Sequence, residues 1–99
     1  MVEFKGQLPG EELVTKGLRD LSQGAFSITA LLVLIGAPRL RRLGVSIPFR
    51  KESPACPEHA LYRHLQNENS RGVHSRYNAL IRRLVSYERA LEQNHRRFS

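Results

Sequence analysis

The sequence predicts an all-α protein: a small helical bundle of four main helices plus a short lid helix, with a long C-terminal amphipathic helix. Three observations predict it. Apolar residues recur at helical spacing near both ends of the chain. Glycines and prolines fall between these stretches, where turns are needed. The one segment with strand character, VSIPF (Val45–Phe49), contains Pro48, which cannot donate to a strand ladder.

The first helix is expected from about Pro9 to Gln23. Pro9 suits a first turn, and Glu11 and Glu12 face the positive end of the helix dipole. Leu13, Val14, Gly17, Leu18 and Leu21 share one face, and Gly24 ends the helix. Ser27 is a good N-cap for the second helix, with Phe26 and Leu31 at the two positions of a hydrophobic staple. From Ile28 to Ile35 this helix is apolar all round, so every face needs cover and the helix should lie at the centre of the bundle. Pro38 disfavours helical geometry at Ala37, which predicts an end near Gly36.

PRLRRL (Pro38–Leu43) then reads as the lid helix, closed by Gly44. Leu40 and Val45 take the paired positions of a Schellman motif. Leu40 and Leu43 should point inward, and Arg39, Arg41 and Arg42 outward. After an extended link, Pro57 opens a helix to about Gln66, with Ala60, Leu61, His64 and Leu65 on its inner side. The last helix is expected from Val73 to about His95. Val73, Tyr77, Leu80, Ile81, Leu84, Val85 and Leu91 share its apolar face. Glu88 falls on that side too. A carboxylate there needs a partner, and an arginine of PRLRRL is the expected one.

Ninety-nine residues suit a single domain, 1–99, with residues 1–8 and 94–99 as loose ends. An apolar share of 40% and a charged share of 25% fit a folded chain rather than a disordered one. The single cysteine, Cys56, excludes an internal disulfide, and the opening MVEFKGQLPGEEL does not resemble a signal peptide. Both point to a reducing, cytoplasmic setting. The apolar run Ile28–Ala37 is half the ~20 residues that span a bilayer, so no membrane partner is expected. Nor does this region suit a DNA-reading helix-turn-helix: PRLRRL is under two turns, too short to enter a major groove and also pack.

Catalytic sets are incomplete. Cys56, His59 and His64 have the spacing C-x2-H-x4-H but no second cysteine pair, so no metal site is expected. The glycines are scattered, so there is no phosphate-cradling loop, and the only aspartate is Asp20. No catalytic residue, cofactor or small-molecule substrate is inferred. RALEQNH (Arg89–His95) resembles, in spacing alone, the Arg and His motif of HEPN-type helical nucleases. The likeness covers seven residues, and Ala90 stands where that family tends to have a polar residue. About 1.6 such matches are expected by chance in this composition.

The charge carries most of the functional information. The net charge is +7, and residues 36–99 hold thirteen basic and five acidic side chains, a local +8. Thirteen of the sixteen basic residues are arginine, whose planar fork suits phosphate and carboxylate. On the last helix Arg82, Arg89 and Arg96 repeat every seven residues, with Arg76, Arg83 and Arg97 as a flanking line, all away from the apolar face. These six are the candidate nucleic-acid-binding residues. The leading expectation is a non-enzymatic binding module with a basic face for nucleic acid, or, next, for an acidic protein. The alternative is a protein–protein adaptor or homodimer whose charge is incidental. The third is a small helical nuclease.

Overall fold

The computed structural model describes residues 8–48 and 50–98, with side chains as far as Asn94. The chain is all-helical, with no strand among the described residues. The four helices are α1 (Glu11–Ser22), α2 (Ile28–Arg42), α3 (Pro57–Glu68) and α4 (Val73–Phe98). Of the expected loose ends, residues 1–7 and 99 lie outside the described residues, and the backbone of 94–98 continues α4.

The α2 helix is the centre: α1, α3 and α4 all pack on it, while α1 and α3 touch α4 but not each other. Ala30, Leu31, Leu32, Val33, Ala37 and Leu40 of α2 are buried, together with Val14, Leu21, Leu61, Leu65, Val73, Leu84 and Tyr87 of the other helices. Ile28, at the helix start, is only half-buried. Close crossing with α1 depends on Gly17. A Cβ there would collide with the Thr29 carbonyl oxygen and stand 2.5 Å from Val33 Cγ2.

The α2 N-terminus forms as expected, with the Ser27 hydroxyl accepting the Ala30 N–H at 3.2 Å. Its C-terminus corrects the sequence reading. There is no separate lid helix, because α2 runs through Pro38 to Arg42. Proline lacks the N–H that would bond the Leu34 carbonyl, at a cost of about 3 kcal/mol. Leu40 is fully buried beyond it, worth about 1.5–3 kcal/mol, and Ala37 and Arg39 are also held in place. Packing outweighs the local preference. The closure itself is the predicted Schellman motif: Val45 N–H bonds the Leu40 carbonyl (2.9 Å) and Gly44 N–H the Arg41 carbonyl (3.1 Å). Gly44 has φ 94°, in the left-handed region that favours glycine.

The start of α1 also shifts. Pro9 lies in the preceding turn, and Gly10, with φ 77°, is the N-cap. A Cβ on Gly10 would sit 2.6 Å from the Arg83 carbonyl oxygen, so the helix start abuts α4. The α3 helix begins at Pro57 as expected and buries Leu61 and Leu65. Ala60 and His64 are half-buried on its flank rather than inside. At 1.5 Å per residue the 26 residues of α4 span ~39 Å, close to the longest dimension of the molecule, 41 Å.

Candidate nucleic-acid interface

The face of α4 opposite Leu84 carries the candidate arginines, and the structure divides them by occupation. Arg82 and Arg89 are exposed, and neither has a hydrogen-bond or ion-pair partner among the described residues. Seven residues separate them, so they stand ~10.5 Å apart along the axis, on the same side of the helix.

Arg76 and Arg83 are occupied. Arg76 turns back over the end of α3: Nη1 donates to the carbonyls of Asn69 (3.0 Å) and Leu65 (3.4 Å), and Nη2 to Glu68 Oε1 (2.9 Å). It caps a helix whose own C-cap residue supplies a single backbone bond. Arg83 Nη2 pairs with Glu12 Oε2, tying α4 to the start of α1. The side chains of Arg96 and Arg97 lie outside the described residues, as does that of His95, so the nuclease-like pair with Arg89 has no geometry to report.

The buried side of α4 holds the expected ion pair. Glu88 is 5% exposed, and Arg39 Nη1 donates to its Oε1 at 3.5 Å. Nη2 of the same guanidinium reaches Glu92 Oε1 at 2.8 Å. Burial raises the Glu88 carboxyl above the ordinary carboxylate range, and the Arg39 charge opposes the rise. Gly36 makes room for this contact, since a Cβ there would stand 2.8 Å from Glu88 Oε2 and 2.9 Å from Leu84 Cδ1. Sequence reasoning found Glu88 from its place on the apolar stripe. It missed Glu92 and the buried Tyr87, although the latter lies within one turn of Leu84 and Leu91 on the same face.

Arg50 is a third residue that pattern reading missed. Its Nε donates to the Leu21 carbonyl at 2.7 Å and its Nη2 to the Ser22 carbonyl, so a residue of the link caps α1. Nothing local in the sequence signals that role. Nearby, one oxygen of Asp20 accepts from Ser27 Oγ (2.5 Å), Thr29 Oγ1 (3.1 Å) and Lys16 Nζ (3.0 Å). The Ser27 hydroxyl, then Lys16, holds the Asp20 carboxyl below its ordinary pKa. This cluster joins the end of α1 to the cap of α2.

Cys56 is exposed with Sγ 3.7 Å from Glu58 Oε1, and His64 lines a shallow groove on α3 with Ala60, Arg63, Asn67 and Glu68. Among the described residues no three His, Cys, Asp or Glu side chains gather into a cation site. No helix of these residues is long and apolar enough to cross a membrane. No protein family, curated protein or solved structure matches the chain.

Proposed function

We propose that this chain is a non-enzymatic, cytoplasmic binding module that holds a nucleic-acid backbone on the outer face of α4. The observation that carries the proposal is the pair Arg82 and Arg89: exposed, two turns apart, and without intramolecular partners among the described residues. A guanidinium already satisfied by carboxylate and carbonyls has little left to offer a phosphate. The reading therefore rests on these two, with Arg96 and Arg97 extending the line in sequence, rather than on Arg76 and Arg83. Backbone contacts of this kind orient the ligand without reading bases.

Each phosphate neutralised releases counterions, so affinity falls with salt by about 0.9 log units per contact on duplex DNA. Fluorescence anisotropy with labelled DNA and RNA at several salt concentrations tests this. R82Q/R89Q should flatten the slope of log K against log salt by about 1.8 on duplex, equally for all sequences, and leave the thermal melt unchanged. No binding at low salt, or an undiminished slope in the double variant, overturns the proposal.

The alternative is a protein–protein adaptor or dimer. The groove bounded by Ile28, Leu65, Ala79 and Leu80, apolar between Arg76 and Arg83, favours it. Stable self-association with no polyanion affinity would establish it. The nuclease reading requires RNA cleavage that His95→Ala abolishes.

A further inference from the structure

From the same reading of α4 as a phosphate-binding face, we infer that the interface continues off α4 onto the last turn of α2, where Arg41 and Arg42 form a second row of phosphate contacts. The Arg39 bridge to Glu88 and Glu92, with Gly36 packed on Leu84 and Glu88, docks the end of α2 against residues 84–92 of α4. Arg89 lies within that segment of α4, and Arg41 and Arg42 share the turn of Arg39. Arg89 of one helix and Arg41 and Arg42 of the other thus lie toward the same end of the bundle.

Positive charge is in excess there, with Arg39, Arg41, Arg42 and Arg89 standing against Glu88 and Glu92. Both carboxylates of this region, Glu88 and Glu92, are engaged by Arg39. Arg41 and Arg42 are exposed, with no side-chain partner among the described residues.

The usual structural use of an arginine at a helix end is also closed to them. At α1 and α3 the terminal carbonyls are capped by guanidinium groups, those of Arg50 and Arg76. At α2 the Schellman closure satisfies the Leu40 and Arg41 carbonyls with backbone N–H groups, and the Leu43 N–H bonds the Arg39 carbonyl at 3.0 Å. Arg41 and Arg42 are left to face outward. Forks carried on two helices that are pinned to each other suit an extended, regularly charged ligand, which a nucleic-acid backbone is.

The test uses the full chain and four proteins: the parent, R82Q/R89Q, R41Q/R42Q, and R63Q/R71Q. The last removes the same charge from exposed arginines on α3 and the α3–α4 turn. Duplex DNA, duplex RNA, single-stranded RNA and polyglutamate are titrated at several salt concentrations, with thermal melts to confirm folding. R41Q/R42Q should flatten the duplex slope by about 1.8, as two lost contacts require, while R63Q/R71Q leaves it near the parent value. If R82Q/R89Q flattens the slope and R41Q/R42Q does not, the interface stops at α4 and only this inference fails. If R63Q/R71Q matches R41Q/R42Q, net charge rather than position is responsible, which also overturns it. If the parent binds no nucleic acid, or binds polyglutamate alone, the reading of α4 fails with it.

Discussion

Among the described residues Glu88 is the one buried carboxylate, and Asp20 is the most heavily hydrogen-bonded. Their pH effects have opposite signs. Burial raises the folded-state pKa of Glu88, so the folded chain binds this proton more tightly than the unfolded chain does. Its contribution to stability therefore grows as pH falls through the raised folded value, and levels off below the ordinary carboxylate pKa. Asp20 is lowered by Ser27 and Lys16, so its contribution is present above the unfolded value and is lost as pH falls through the folded one. Glu88→Gln should remove the first effect and Asp20→Asn the second, read as melting temperature from about pH 3 to pH 8. A Glu88→Gln profile parallel to the parent throughout would show that folding does not shift the Glu88 pKa. Beside it, Gly36→Ala should cost about 1–3 kcal/mol in urea melts, because the methyl meets Leu84 and Glu88 at under 3.0 Å. An unchanged midpoint would mean that α2 and α4 are not so closely packed.

At the scale of elements, α2 sets local preference against packing. Pro38 is exposed. Pro38→Ala should restore the bond to the Leu34 carbonyl and stabilise the protein, by up to about 3 kcal/mol. A destabilised variant would show that the ring shapes the helix in a way the arginine bridge needs. Gly44→Ala probes the other end of the same element. A Cβ there meets nothing within 4 Å, so the whole cost is the left-handed backbone, about 1–2 kcal/mol. The Schellman closure was legible because its signal is local: a glycine with apolar residues at fixed offsets. The continuity of α2 was not legible. It depends on Leu40 being buried in the core and on Arg39 finding Glu88 and Glu92, 49 and 53 residues away, and the local rule for proline points the other way.

On the scale of the whole molecule, α4 is a strut pinned to every other helix by an ion pair: Arg83 to α1, Glu88 and Glu92 to α2, Arg76 to α3. The exposed pairs, those of Arg76, Arg83 and Glu92, are worth ~0–1 kcal/mol each, so they orient α4 rather than hold it. Holding falls to Val73, Leu84 and Tyr87. Leu84→Ala should cost about 2–5 kcal/mol, whereas Arg83→Gln should cost under ~1 kcal/mol. Comparable losses from the two would reverse that division. Leu32, with no exposed surface at the centre of α2, makes the limiting case: Leu32→Asp puts an unpaired charge in the core and should abolish the cooperative transition. A cooperative melt at the parent temperature would remove α2 from the centre.

The sequence by itself determined the helical class, the turns at Gly24 and Gly44, the central position of α2 and the need for a partner at Glu88. These follow from periodicity, capping residues and apolar runs, which act over a few residues and are written in order along the chain. It also displayed every arginine, but as one undivided supply of charge. Only the tertiary structure decided how each is used. Arg39 bridges α2 to α4, Arg50 and Arg76 cap helices, Arg83 ties α4 to α1, and Arg41, Arg42, Arg82 and Arg89 have no partners among the described residues. The physical reason is reach. A guanidinium on its long stem finds carboxylates and carbonyls brought near by packing, often dozens of residues away in sequence, and no spacing rule records which of them it will meet.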